Sequence, residues 1–205
     1  MADFDKKAAT WDDDPERVNR ALSIADSISK HIDLSRIEKA MEYGSGTGLL
    51  SFALKDRLAS IALMDESASM IEVVKDKCAA NNVNHFVPLQ YNILKQPLPD
   101  QKYDFIFILL TLHHIIELEE VLDKFARLLN PRGYLAIIDL EKEDGTFHPE
   151  GFNGHNGFDR ETLESQLQEA DITPISYEVC YELKRDYDDV DQKYPLFLLI
   201  SQKQG

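Results

Sequence analysis

Cysteine is scarce in this chain, and basic residues are few. Only two cysteines, Cys78 and Cys180, occur among the 205 residues, far apart in sequence and without a CxxC pair. This arithmetic excludes a disulfide scaffold and a zinc ribbon. Lysine and arginine total 22 against 37 aspartates and glutamates, which gives a formal net charge of −15. So acidic a chain is poorly suited to nucleic acid or to an anionic membrane surface, because both are bound through lysine and arginine.

Long hydrophobic runs and targeting signals are also missing. The longest apolar run, residues 105–112, is interrupted by Thr111 and is too short to span a bilayer. Residues 1–5 contain neither the basic region nor the apolar stretch of a secretory signal. We therefore expect a cytoplasmic protein with reduced thiols that acts on a small, neutral or cationic partner.

The chain has enough apolar sequence for one folded domain. Hydrophobic residues make up 43% of it, and a chain of this length can bury one substantial core. Short apolar runs alternate with amphipathic patterns, which is typical of an α/β domain with a parallel sheet. We predict strands over residues 39–43, 60–64, 85–89, 103–110 and 134–140.

Helices are predicted to connect these strands. A first helix begins at Asp14-Pro15, an N-cap followed by proline at the first helical position. The other helices are predicted over 49–58, 67–80 and 118–129 and after a cap at Asp159. Two β-like stretches at the C-terminal end, 172–183 and 195–202, have no helix between them, so we expect an antiparallel pair at the sheet edge.

The most informative segment is the glycine run Glu42-Tyr43-Gly44-Ser45-Gly46-Thr47-Gly48, which follows the first predicted strand and opens a helix. Glycine lets the backbone turn tightly and approach a ligand closely. Asp65 ends the next predicted strand, about twenty residues after Gly44, where a carboxylate can bind ribose hydroxyls. A tight turn or a helix cap would explain either feature alone, but together they favour a nucleoside ligand.

The spacing of the glycines argues against a dinucleotide. A dinucleotide fingerprint reads GxGxxG, whereas here Gly48 comes one position earlier than the third glycine and Leu49 occupies that place. Glu42 adds a carboxylate facing the site. Such a group suits a cationic or hydrogen-bond-donating ligand better than a pyrophosphate.

These segments resemble class I S-adenosylmethionine-dependent methyltransferases, and in particular the small type-11 and ubiquinone/menaquinone-biosynthesis-like members. The resemblance rests on the glycine run, on Asp65 after the second strand, on an adenine-contacting segment at 90–93, on a turn at 128–135 and on a cofactor-covering segment with Phe4-Asp5 and residues 9–12. Two positions depart from the family pattern. Asn92 replaces an aspartate, although its amide oxygen can still accept a hydrogen bond from adenine, and Arg132 replaces a glycine in the turn.

The resemblance implies one methyltransferase domain over residues 1–205. An N-terminal helical segment, 1–30, would cover the cofactor, and residues 38–205 would form the Rossmann-like core. The implied fold is an α/β three-layer sandwich whose seven-stranded mixed sheet has antiparallel strands at its C-terminal edge. The implied cofactor is S-adenosyl-L-methionine, bound by Glu42, Gly44, Ser45, Gly46, Gly48, Asp65, Glu66, Asn92, Ile93 and Leu109.

Two adjacent histidines are the candidate catalytic residues. His113 and His114 follow the fourth predicted strand, at the sheet edge where ligands of open α/β domains bind. A histidine with a pKa near neutrality can act as a base or orient the acceptor. The alternative is that one of them packs against or caps the helix predicted over 118–129.

The long segment 141–159 is a candidate lid, because loops of this length in compact domains are often functional. It carries His148 and His155, which we place on the substrate side. None of these histidines has the HxxxH or HExxH spacing of a helical metal site, so we predict no metal. Trp11 and Arg17 would close the acceptor pocket from the N-terminal side, although Trp11 could equally anchor the first helix.

The predicted function is S-adenosylmethionine-dependent methyl transfer to a small-molecule acceptor. A sulfonium is already activated, so alignment of the reactants can carry catalysis and no catalytic triad is required. Two alternatives stay open. One is a NAD-type oxidoreductase, which the glycine spacing disfavours, and the other is a non-catalytic protein that binds S-adenosylmethionine for regulation.

Overall fold

The computed structural model describes the backbone of residues 2–187 and 190–205 and the side chains of residues 5–185 and 192–205. The side chain of Phe4, which belongs to the predicted cofactor-covering segment, lies outside the described residues. Seven strands form one sheet: β1 Ala40–Tyr43, β2 Ile61–Asp65, β3 Phe86–Gln90, β4 Tyr103–Leu109, β5 Leu129–Leu140, β6 Ile172–Tyr187 and β7 Val190–Lys203.

The strand order in the sheet is β3-β2-β1-β4-β5-β7-β6. The pairs among β1 to β5 are parallel, and β7 is antiparallel to both β5 and β6. The predicted seven-stranded mixed sheet with antiparallel C-terminal strands is therefore confirmed. Because the chain leaves β3 and crosses to the other side of β1, the order reverses between β1 and β4, and a crevice is expected at the carboxyl ends of those strands.

Six helices flank the sheet in the described part of the chain: α1 Ala2–Lys7, α2 Pro15–His31, α3 Leu49–Leu54, α4 Ala68–Ala80, α5 Leu118–Leu128 and α6 Arg160–Glu169. The predicted caps are in place, since Asp14 accepts from the Glu16 amide at 2.9 Å and Asp159 from the Thr162 amide at 3.0 Å. The helix predicted over 49–58 is shorter and ends at Leu54, because residues 55–57 form a turn that leads to β2.

Within the described ranges, no helix is long and apolar enough to cross a bilayer.

The sheet has an apolar layer on each face, and β4 shows why its sequence is almost entirely apolar. Phe105 and Phe107 point into the layer formed with α2 and α3, whereas Ile106 and Ile108 point into the layer formed with α5 and α6. All four side chains are fully buried. Alternate residues of a strand point to opposite faces, so a strand covered on both sides needs apolar residues at every position.

The predicted turn at residues 130–133 is incorporated into β5, which begins at Leu129 rather than at Tyr134. The register with β4 shifts between Tyr103 and Phe105, and Arg132 has a φ of +63°. The turn therefore persists as an irregularity inside a longer strand. This part of the sheet lies at the opposite end from the crevice and does not contribute to it.

Candidate active site

A cavity of about 500 Å³ opens at the carboxyl ends of β1, β2 and β4. It lies where the strand order reverses, as expected for an open α/β sheet, and its volume is within the range of small-molecule sites. The predicted site residues that line it are Trp11, Arg17, Glu42, Gly44, Ser45, Gly46, Asp65, Glu66, Asn92, Leu109 and His114. The predicted residues outside the lining are Gly48, Ile93, His113, His148 and His155.

The glycine run forms a tight turn between β1 and α3. The amides of Gly44 and Ser45 both donate to the carbonyl of Met64, at 2.8 and 3.0 Å, which ties the turn to β2. Gly44 has a φ of +69°, and a Cβ at this position would collide with the Thr111 side chain. Gly46 has a φ of +52°, and a Cβ there would meet no atom within 4 Å. The turn therefore leaves open space above Gly46 against the cavity.

Asp65 joins the glycine run to the start of α4. One carboxylate oxygen accepts from the Gly46 amide at 2.8 Å, and the other accepts from the Ser67 amide at 2.8 Å. Burial raises the pKa of this carboxyl, while the two amides act in the opposite direction. A carboxylate oxygen can accept more than one hydrogen bond, so Asp65 is held in place with acceptor capacity left for ligand hydroxyls.

Glu66 and Asn92 form a second polar pair at the cavity wall. The Asn92 amide nitrogen donates to Glu66 at 2.8 Å, and Lys95 lies 3.1 Å from the same oxygen. Burial acts to raise the pKa of Glu66, but these two partners lower it below the usual range. The Asn92 amide oxygen accepts from the Leu94 amide at 2.9 Å and from the Tyr43 hydroxyl at 3.4 Å. An adenine amino group would have to displace the weaker bond from Tyr43.

Glu42 is buried at the base of the cavity. Its side chain accepts hydrogen bonds from the amide and the hydroxyl of Ser51, a residue that the sequence analysis did not single out. Burial raises the pKa of Glu42 to about 8, although Ser51 and the charge of Lys77 act to lower it. A cationic group bound beside it would favour the carboxylate, because opposite charges stabilise each other.

The N-terminal segment contacts the glycine run and both ends of α4 through two aspartates. Asp12 accepts from the hydroxyl of Thr47 and forms an ion pair with Lys77, and Asp5 accepts from the hydroxyl of Ser67. We call these contacts the N-terminal clasp. Lys77 and Thr47 were missed as partners by sequence reasoning, since nothing local to them indicates a contact 30 or more residues away.

Trp11 and Arg17 meet at the rim of the cavity. The Arg17 guanidinium lies 4.0 Å from the centre of the Trp11 ring and donates to the Trp11 carbonyl at 3.0 Å. Its Nε is 3.3 Å from the carboxylate of Asp14, the N-cap of α2. Trp11 therefore packs at the start of α2 and lines the cavity at once, so the two roles considered for it are compatible.

His113 lies behind the cavity wall, in the 3₁₀ turn Leu112–His114. It is 2% exposed, its Nδ1 is 2.6 Å from an oxygen of Asp139, and its amide donates to the other oxygen at 3.2 Å. The N-cap of α5 is Glu117, without a side-chain bond, so neither histidine caps this helix and only the packing form of that alternative stays open. Asp139 was missed, although a lone charge in the apolar end of β5 is a visible signal.

His114 lines the cavity, and the imidazoles of His113 and His148 lie close to it. Burial, together with the nearby His113 and His148, lowers the pKa of His114 to about 4. His155 lies apart from the cavity: its amide donates to the His113 carbonyl at 2.8 Å, and its Nε2 lies 2.8 Å from the Ile115 carbonyl. His155 therefore fastens the long loop to the 3₁₀ turn.

Tyr91 and Lys95 have the Tyr-x-x-x-Lys spacing found in short-chain oxidoreductases, yet they do not act as a pair here. The Tyr91 hydroxyl donates to the Pro97 carbonyl, while Lys95 contacts Glu66. Both residues lie in the loop after β3, not along one helix. This arrangement adds to the glycine spacing as an argument against the oxidoreductase alternative.

Comparison with known proteins agrees with the fold. Residues 41–137 match a methyltransferase domain. The chain is 27% identical over 187 residues to an uncharacterized methyltransferase of Schizosaccharomyces pombe, covering 83% of this chain and 62% of that protein. It is 27% identical over 143 residues to a demethylmenaquinone methyltransferase of Clavibacter sepedonicus, covering 67% and 56%.

Among solved structures, a SAM-dependent methyltransferase from Aquifex aeolicus shares the fold with a TM-score of 0.71 and 22% identity, over 96% of this chain and 97% of that one. The chain spans only 62% and 56% of the length of the two curated relatives, so it matches parts of larger proteins. The resemblance predicted from the glycine run and Asp65 is confirmed: residues 41–137 match a methyltransferase domain, and the chain shares its fold with a SAM-dependent methyltransferase.

Proposed function

We propose that this protein transfers a methyl group from S-adenosylmethionine to a small-molecule acceptor. The single observation that carries the proposal is the joint placement of the glycine turn and Asp65 at the reversal point of the sheet, bridged by the Gly46 amide at 2.8 Å. When bound, this cofactor supplies a methyl group on a sulfonium, which is electrophilic without further activation. The protein therefore has to bind, align and shield the reactants.

The residues at the site fit that cofactor. Ser45 is 7% exposed, lines the cavity, and has a hydroxyl oxygen without a partner among the described residues. Buried polar groups are normally hydrogen-bonded, so a polar ligand would satisfy it. The open space above Gly46 admits a ligand against the backbone. Acidic side chains on the cavity wall, including Glu42 and Asp65, favour a ligand that carries positive charge.

Each group has a distinct task in the proposed reaction. Asp65 would hold the ribose hydroxyls, and Glu42 would face a cationic group. The N-terminal clasp, through Asp5 and Asp12, would keep residues 2–14 over the site and exclude water. Excluding water strengthens the electrostatic interactions inside a site and prevents side reactions.

The acceptor side of the cavity offers one donor that no described residue uses. Arg20 lines the cavity, and its Nε is buried without a hydrogen-bond partner in the described part of the chain. Burial lowers the pKa of its guanidinium, which stays cationic because its ordinary pKa is so high. This donor supports an acceptor that presents an oxygen toward α2. His114 adds a neutral imidazole on the same side.

The name of one relative suggests where to begin the search for the acceptor. The Clavibacter sepedonicus protein is a demethylmenaquinone methyltransferase, so aromatic quinols are the first compounds to test. They carry oxygens for Arg20 and an apolar ring for Leu109 and Trp11. A panel of phenols, amines and thiols of similar size covers the other acceptor atoms.

Transfer of radioactive methyl from S-adenosylmethionine to this panel tests the proposal. We expect label in at least one acceptor, and its loss in Asp65→Ala. The matched control is Asp56→Ala, because Asp56 is an exposed carboxylate whose partner is the neighbouring Lys55. Tight binding of S-adenosylhomocysteine without transfer to any acceptor would favour the non-catalytic binding alternative instead.

A further inference from the structure

Three imidazoles from two segments meet at the cavity wall. His113 and His114 come from the 3₁₀ turn after β4, and His148 comes from the loop between β5 and α6. One ring nitrogen from each lies within 4.8 Å of the others. The ring centres are 4.1 Å apart for His113 and His114 and 5.0 Å apart for His113 and His148.

Two of these rings have nitrogens that no hydrogen bond satisfies. The Nε2 atoms of His113 and His148 are buried and have no partner among the described residues. His113 is 2% exposed, so its Nε2 has little access to solvent. An unpaired buried polar group costs free energy, so a ligand that binds these nitrogens would stabilise the cluster.

Asp139 prepares His113 to be a ligand. Its oxygen lies 2.6 Å from Nδ1 of His113, so the proton is held on that nitrogen and Nε2 presents its lone pair. Metal-bound histidines typically donate their other ring nitrogen to a carboxylate in this way. The negative charge of Asp139 also offsets the nearby positive charge of Arg185, which acts on His148.

We propose that His113, His114 and His148 form a binding site for a divalent transition-metal ion of the zinc type. Three imidazoles suit zinc and its neighbours, whereas magnesium and calcium prefer oxygen ligands. Nitrogens bound tetrahedrally to zinc lie about 3.3 Å apart, as bonds of about 2.0–2.1 Å require. The three ring nitrogens lie within 4.8 Å of one another, so binding of the ion would draw them closer together.

The site would have an open position toward the cavity, because His114 also lines the cavity wall. Three protein ligands and a fourth, exchangeable position are typical of catalytic zinc. If the proposed methyl transfer is correct, an acceptor oxygen, nitrogen or sulfur could occupy that position and become more acidic there. Binding of the ion itself does not depend on the proposed function.

Cobalt is the probe for the test, because it replaces zinc and absorbs visible light. The full chain, without a histidine tag and stripped of metal with a chelator, is titrated with Co²⁺ and then with competing Zn²⁺. We expect one Co²⁺ per chain with visible absorption that Zn²⁺ removes. His148→Asn and His114→Asn should each weaken Co²⁺ binding at least about tenfold, and Asp139→Asn by about 10–100-fold.

His85→Asn is the matched control, since His85 precedes β3 at the opposite end of the sheet and contacts the Lys55 carbonyl. It should bind Co²⁺ like the unaltered chain. Circular dichroism and S-adenosylhomocysteine affinity show whether each variant is folded, so a misfolded Asp139→Asn leaves His148→Asn as the decisive variant. The proposal is overturned if the unaltered chain binds Co²⁺ no more tightly than His148→Asn does. A variant that loses Co²⁺ binding but still binds S-adenosylhomocysteine separates this inference from the proposed function. A variant that binds Co²⁺ but not S-adenosylhomocysteine separates them equally.

Discussion

The two sides of the cavity are built in different ways. On the cofactor side, Gly46 contacts Asp65 only 19 residues further along the chain, across one strand–helix–strand unit. On the acceptor side, His113 meets Asp139, 26 residues further along the chain, and His148, 35 residues further along. The cofactor side is therefore a local motif, whereas the acceptor side depends on how the whole domain folds. The two sides should respond differently to substitution.

The largest effect is expected from Gly44→Ala on the cofactor side. Gly44 has a φ of +69°, and the added Cβ would collide with Thr111, so both the turn and the cavity wall must move. We expect S-adenosylhomocysteine affinity to fall by about a hundredfold or more, measured by calorimetry, because a misplaced turn loses several contacts at once.

Gly151→Ala separates the collision from backbone strain. Gly151 has a φ of +86° and open space for a Cβ. Alanine there should lower stability only by the strain of its left-handed backbone conformation, about 1–2 kcal/mol. Its affinity for S-adenosylhomocysteine should be unchanged. Equal losses in the two variants would mean that general destabilisation, and not the turn, explains the effect.

Asp65→Ala is expected to have the next largest effect. Charge-assisted hydrogen bonds contribute about 1.5–3 kcal/mol, so losing those to the ribose should weaken S-adenosylhomocysteine binding about tenfold or more. Calorimetry measures this against Asp56→Ala as the control. If a folded Asp65→Ala chain binds S-adenosylhomocysteine with unchanged affinity, Asp65 does not contribute to binding this ligand.

A smaller effect, about tenfold, is expected when residues 1–14 are removed and the clasp with them. The truncated chain should stay folded, because these residues contribute one buried apolar side chain, Ala8, to the described core. Affinity and turnover should fall together, since closure excludes water from the site. In the full chain, Trp11 fluorescence should change when S-adenosylhomocysteine is added. If the truncated chain binds S-adenosylhomocysteine normally, and the emission of Trp11 in the full chain does not change with this ligand, then Trp11 has a packing role only.

Glu42 imposes a pH dependence on stability, which is measured separately from ligand affinity. Its pKa is raised from 4.5 to about 8 in the folded chain, so between these values the folded state holds a proton that the unfolded state has lost. The contribution to stability is complete below pH 4.5 and decreases as pH rises through 8, by up to about 1.4 kcal/mol per pH unit. Urea unfolding of Glu42→Gln should show a flatter profile between pH 5 and 8. The same slope in both chains would contradict the raised pKa.

The contrast between the two sides also explains what the sequence could predict. Strand β4, the caps Asp14 and Asp159 and the glycine turn follow from periodicity and local chemistry, and all were predicted. The contacts between residues on the acceptor side could not be predicted in that way. Spacing along a helix is no guide to His113 and His148, because two loops bring them together. Asp139 was visible as a charge in an apolar strand, but its partner was not.

Binding of S-adenosylhomocysteine in preference to NAD tests the central claim most directly. The melting temperature of the full chain is measured with each compound at the same concentration, because a ligand that binds only the folded state raises it by mass action. The account predicts a clear increase with S-adenosylhomocysteine and none with NAD or NADP. An increase with NAD and none with S-adenosylhomocysteine would contradict it.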